Sequence, residues 1–198
     1  LRYLECLNAT ARAERTAMGD DAPLDATAAV ARNLYKLMAY KDEYEVARLL
    51  LQRTFSKRVR EMFTGPVRMI FNLQPPFLRL FGLHRKVGLG PWVRPFLATL
   101  AACKFVRGSV FDPFGYLHVR REERSLVTWY LELIEATLPR LSAQNLALVI
   151  KLFMLPADIR GYEHVKSKAI VEAKKAATVL KDQLNSKKHA EGVVHLTV

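Results

Sequence analysis

Cysteine is almost missing from this sequence: there are two, Cys6 and Cys103, 97 positions apart and neither in a CxxC pair. That excludes a disulfide framework, offers no iron–sulfur or zinc site, and suits a reducing, cytoplasmic setting. Long apolar runs are missing too. The longest, Leu146 to Leu155, is interrupted by Lys151 and is about half the ~20 residues that span a bilayer, so it reads as a buried helix and no membrane partner is expected. Residues 1–18 carry Arg2, Glu5, Arg12, Glu14 and Arg15, which excludes the apolar centre of a signal peptide. An opening methionine is also missing and the chain starts inside helical spacing, so a fragment of a longer polypeptide is expected.

Catalytic signatures are equally scarce. Gly88-Leu89-Gly90-Pro91 lacks the third glycine of a dinucleotide loop, no GxxxxGK[ST] stretch occurs, and Ser109 has no nucleophile elbow. The five histidines, His84, His118, His164, His189 and His195, never stand at the i, i+4 spacing of a helical metal pair. No catalytic residue and no metal ligand is therefore assigned.

What the chain does have is apolar mass. With 198 residues, 51% hydrophobic and 25% charged, it can bury a sizeable core. Helical spacing predicts a first helix over residues 2–18, closed by the turn Gly19 to Pro23. A second carries Val30, Leu34, Leu37 and Met38, with Asp25 or Thr27 as its N-cap. Phe55, Val59, Met62 and Phe63 mark a further amphipathic stretch ending at Gly65-Pro66. Glycine and proline then break up the middle, where Val67–Phe71 is a short strand candidate and 92–106 returns to helical spacing. From His118 to Leu138 a long helix is expected, with Leu126, Tyr130, Leu133, Ile134 and Thr137 as its buried stripe and residues 120–124 facing water. Ser142 would cap the next helix, whose residues 146–155 belong at the centre of the core. Ile170, Ala173, Ala177, Leu180 and Leu184 define the last. The expected class is mainly α: one irregular helical domain over residues 1–184 with a Pro/Gly-rich middle and one short β candidate, then a solvated tail over 185–198.

The net charge of +12 is concentrated. Residues 51–121 hold thirteen Lys/Arg against two Asp/Glu, whereas residues 1–50 hold seven against eight and 122–198 eleven against nine. Arg79, Arg85, Lys86 and Arg94 in that middle segment are candidate contacts for an acidic partner, whether a phosphorylated cofactor, an acidic protein or another domain of the same polypeptide. Nucleic acid fits less well, because Phe71, Phe77, Phe81 and Trp92 sit among apolar neighbours that favour packing over base stacking.

Two short segments are denser in polar and aromatic groups than a core requires. Phe111-Asp112-Pro113-Phe114-Gly115-Tyr116 reads as a structural turn, with Asp112 and Pro113 initiating it, Gly115 permitting positive φ, and the aromatics, Tyr116 among them, anchoring it. After Pro156, Arg160, His164 and Lys166 come close together and form a candidate anion site, unless Arg160 pairs with Asp112 or Glu163.

Three stretches in order, Val30–Leu49, Phe111–Tyr116 and Leu155–Lys166, make the chain resemble the C-terminal region of the large fused bacterial indolepyruvate ferredoxin oxidoreductases. It departs from that pattern at Glu163, where glycine is usual, and over residues 50–75. The resemblance implies a parent enzyme that oxidatively decarboxylates 2-oxo acids, typically arylpyruvates, to acyl-CoA. Such a parent uses thiamine diphosphate with Mg, iron–sulfur clusters and coenzyme A, and passes electrons to ferredoxin. It implies no cofactor in this segment, whose expected role is assembly, interdomain packing or docking of ferredoxin or coenzyme A. The alternative from another class is a free-standing basic helical nucleic-acid-binding protein. A third, an independent small-molecule enzyme, would gather Arg160, His164 and Asp112 in one pocket.

Overall fold

The structure, a computed structural model, describes residues 2–66, 68–73, 87–161 and 163–190. Among them are eight α-helices and one two-stranded sheet: α1 (Arg2–Met18), α2 (Asp25–Met38), α3 (Glu43–Leu50), α4 (Arg53–Glu61), β1 (Phe71–Leu73), β2 (Val87–Leu89), α5 (Arg94–Ala102), α6 (His118–Thr137), α7 (Leu146–Met154) and α8 (Glu163–Ala190). The protein is mainly α, as expected. The strand candidate is displaced, since residues 68–70 are not in a strand and β1 begins at Phe71. The described residues fall into two compact units, one within residues 1–40 and 118–198 and one within residues 41–117.

The first unit is built on α1, α2, α6, α7 and α8. All five residues of the α6 stripe, Leu126 through Thr137, are buried, because one face of a 20-residue helix repeats its apolar positions in step with 3.6 residues per turn. Val30 and Leu34 of α2, Val149, Leu152 and Phe153 of α7, and Ile170, Ala173 and Ala177 of α8 complete the core. The α7 helix is not buried all round: Ala147, Lys151 and Met154 are exposed, so a short apolar run needs only one face covered. Residues 120–124 do not simply face water. Glu123 accepts from Lys166 at 2.5 Å, Glu122 accepts from Ser167 at 3.1 Å, and the Arg120 guanidinium lies 5.7 Å from the Tyr40 ring centroid.

Some helix ends are satisfied by neighbours and others by distant groups. Helix α1 stops at Gly19, whose φ of +95° suits a residue without a Cβ and lets its N–H return to the Arg15 carbonyl at 2.7 Å. Neither Asp25 nor Thr27 caps α2; the fully buried Glu14 does so from α1, accepting from Ala26 N and Thr27 N, each at 2.8 Å, and from the Thr27 hydroxyl. Asn145, not Ser142, is the residue before α7, and its side-chain oxygen accepts from Ser142 N at 2.9 Å. At the other end of α7, Pro156 has no N–H and the chain tightens into a 3-10 turn over Leu155–Asp158. Asn33 and Tyr130 then donate to the Phe153 carbonyl, and Lys36 donates to the carbonyls of Pro156 and Ala157. Of the solvated tail expected over 185–198, residues 185–190 are helical as the end of α8, and residues 191–198 lie outside the described residues. Asn185 and Ser186 are exposed helical residues, compatible with solvent on that face.

The second unit holds α3, α4, α5 and the sheet, in which β1 and β2 run antiparallel with Phe71 opposite Leu89. Among the described residues its core is Ala47, Phe71, Val93 and Leu97, with α3 packed on α5. Asp42 caps α3, accepting from Glu45 N at 2.8 Å, and its other oxygen meets Arg107 at 2.6 Å.

Candidate functional site

The Asp112 turn is internally satisfied. The buried Asp112 carboxylate accepts from the Tyr44 hydroxyl at 3.0 Å, from Gly108 N at 2.9 Å and from Phe114 N at 3.1 Å. Burial alone would raise its pKa, but these donors together hold it below the ordinary carboxylate value. The same contact, added to burial, pushes the Tyr44 phenol up to about 12. Positive φ falls at Gly108, at +76°, and not at Gly115. At Gly115 the constraint is one of space: a Cβ there would lie 3.1 Å from Asp112 Oδ2, tighter than an ordinary contact. Phe114 stacks edge-on against Tyr44 with centroids 5.3 Å apart, and the Tyr116 hydroxyl donates to the Val110 carbonyl at 2.9 Å. Pro113 and Phe111 are exposed, so Phe111 anchors nothing.

Arg160, His164 and Lys166 do not form a free cationic set. Lys166 is tied to Glu123, Arg160 Nε donates to the Ala157 carbonyl at 2.9 Å, and His164 is exposed. Lys36, close enough to feel Arg160 and Lys166, has its pKa lowered chiefly by burial, then by Arg160, with Asp158 opposing. Arg160 belongs to the first unit and Asp112 to the second, where its oxygens are already engaged. Burial raises the pKa of the Cys6 thiol, which makes it a poor nucleophile at neutral pH.

The cations that do converge are on α4. Arg53, Lys57 and Arg60, at i, i+4 and i+7, share one face of that helix and, with Arg94 at the start of α5, line a cleft of about 510 Å³. Ser56 and Glu61 complete the lining. Glu61 is the only carboxylate among these six and lies 3.7 Å from Lys57 in an exposed, weak pair. Arg53, Arg60 and Arg94 have no ion pair among the described residues. Ser56 is 4% exposed, and its Oγ has no hydrogen-bond partner among the described residues. Of the four cations expected from sequence to meet a partner, Arg94 is here; Arg79, Arg85 and Lys86 lie outside the described residues. The charge count found the segment but not this face, although the spacing of Arg53, Lys57 and Arg60 opposite Phe55 and Val59 carried it.

The opposite side of α4 is apolar and, among the described residues, only partly covered. Phe55, Val59 and Phe63 line an open groove of about 630 Å³ with Leu50, Ile70 and Phe71. Only Phe71 of the four aromatics expected to pack is both described and buried; Trp92 is 71% exposed, and Phe77 and Phe81 lie outside the described residues.

No helix among the described residues is long and apolar enough to cross a membrane. These features define a two-unit, mainly helical protein with a basic and apolar surface on its second unit. The chain belongs to a family described as a family of unknown function (DUF6537), whose family model matches residues 1–179. No curated protein and no solved structure matches it.

Proposed function

We propose that this chain is a non-catalytic accessory domain of the kind that ends the large fused indolepyruvate ferredoxin oxidoreductases, serving assembly, interdomain packing or partner docking in a cytoplasmic enzyme. The carrying observation is the surface of the second unit. In that unit Met62, Phe63, Trp92, Phe105 and Phe111 are 60–81% exposed, and Arg53 and Arg60 of α4 have no ion pair among the described residues. Soluble monomers rarely leave so many large apolar side chains in water, whereas a body that docks covers them and uses rim charges to set register. The three ordered stretches of resemblance support such a parent, which in this reading acts on 2-oxo acids, typically arylpyruvates, with ferredoxin as acceptor.

The residues present do not fit the parent's redox groups. A cluster needs several thiolates, and the chain has one cysteine in each unit. No Gly-Asp-Gly diphosphate motif occurs in the sequence. Those groups, with thiamine diphosphate, Mg and coenzyme A, belong in this reading to upstream parts of the polypeptide.

The test is to purify the product of the whole gene and assay coenzyme A-dependent arylpyruvate oxidation with ferredoxin as acceptor, with and without this region. Activity that needs the region for assembly supports the reading; a gene product with no such activity removes it. Charge reversal at Arg79, Arg85, Lys86 and Arg94 addresses ferredoxin or coenzyme A docking, which fails if ferredoxin-linked turnover is unchanged. The exposed Trp92, close in sequence to Arg94, favours one rival, a nucleic-acid-binding protein. That rival requires a gel shift with a steep salt slope from the chain alone.

A further inference from the structure

We infer that the cleft between α4 and α5 binds a small phosphorylated ligand through a phosphomonoester or pyrophosphate group. The cleft gathers Arg53, Lys57, Arg60 and Arg94 around a single carboxylate, Glu61, leaving a local excess of three positive charges. Like charges so placed repel one another, and a multiply charged anion relieves that repulsion more fully than a single carboxylate. Guanidinium groups match phosphate oxygens in pairs, and three of the four cations are arginines.

Ser56 adds an independent sign. A buried hydroxyl without a partner costs stability, because it has given up water for nothing. Ser56 lines this same cleft, shares a helix face with Arg53 and Arg60, and is the one buried side-chain polar group left unpaired among the described residues. A phosphate oxygen seated between the arginines supplies the missing acceptor. The volume of about 510 Å³ suits a small ligand. An extended polyanion would instead follow a stripe of charge, whereas these cations gather around one cleft that also holds Glu61.

The test titrates the full chain with pyrophosphate, ADP, citrate and a single-stranded oligonucleotide by calorimetry, at about 0.15 M salt to screen loose surface attraction. Saturable one-to-one binding of pyrophosphate or ADP is expected. Arg60→Ala and Arg94→Ala should each weaken it about tenfold, the loss of one charge-assisted contact. ADP binding more tightly than pyrophosphate assigns a nucleotide as the source; equal affinity assigns the diphosphate group alone. Ser56→Ala should weaken binding while leaving the urea midpoint of the free chain unchanged or higher, whereas a purely structural serine would lower the midpoint and spare affinity. The proposal is overturned if nothing saturates, if the arginine substitutions have no effect, or if citrate binds as tightly as pyrophosphate. It is equally overturned if the oligonucleotide outcompetes both phosphate ligands.

Discussion

The Tyr130 hydroxyl donates to the Phe153 carbonyl at 2.7 Å, in a site where neither side chain is open to solvent. That carbonyl is left over because Pro156 forces α7 into a tighter turn, and Asn33 reaches it as well at 3.0 Å. Tyr130→Phe should therefore cost only about 1 kcal/mol, since Asn33 keeps the carbonyl paired. Changing both residues, to Phe and Ala, should cost more than the sum of the single changes. A double-mutant cycle in urea measures the difference; strict additivity would mean that the two donors do not back each other up.

Glu14 offers a second, larger effect. Its carboxylate accepts from three donors at the start of α2 while fully buried, where the positive end of the helix dipole favours negative charge. Glu14→Ala should destabilise the first unit by about 3 kcal/mol. Glu14→Gln keeps the shape and loses an acceptor, and should fall between the two. Chemical denaturation of the three proteins gives the order directly.

The pair Tyr44 and Asp112 should give the second unit a pH signature at both extremes. Tyr44 has its folded pKa raised to about 12, so its contribution is complete below the unfolded value near 10 and is lost as pH climbs through 12. Asp112 has its folded pKa lowered, so its contribution is complete above the unfolded carboxylate value and is lost as pH falls through the folded one. Tyr44→Phe should flatten the alkaline loss, read by near-ultraviolet circular dichroism. An unaltered alkaline profile would show that another group titrates there.

The exposed apolar residues should behave unlike core residues. Met62 is 75% and Phe63 60% exposed, so Met62→Asp with Phe63→Ser should change the stability of the chain by no more than about 0.5 kcal/mol. If their role is docking, the same double change should reduce self-association or partner binding, visible by light scattering. A large loss of stability would place them in a core instead.

Much of the first unit is legible in the sequence because its stabilisation is periodic. The stripe from Leu126 to Thr137 announces both a helix and its buried face. Periodicity fails where the partner is distant: nothing near Asp25 shows that Glu14 will cap α2, and nothing near Phe153 shows that Tyr130 will pair with its carbonyl. The basic cleft was half legible. Counting charges locates the segment but not the face, although the i, i+4, i+7 spacing of Arg53, Lys57 and Arg60 carries it. The isolation of the Ser56 hydroxyl depends on what packs around α4 and has no local signal. Gly115 illustrates a right residue with the wrong reason, a close approach by Asp112 in place of a left-handed φ.

The accessory-domain proposal is tested most directly by sedimentation of this chain mixed with the remainder of its parent polypeptide, expressed separately. A stable one-to-one complex is expected, weakened by raised salt and by Met62→Asp with Phe63→Ser. Two bodies that sediment independently, or a complex indifferent to both changes, would contradict it.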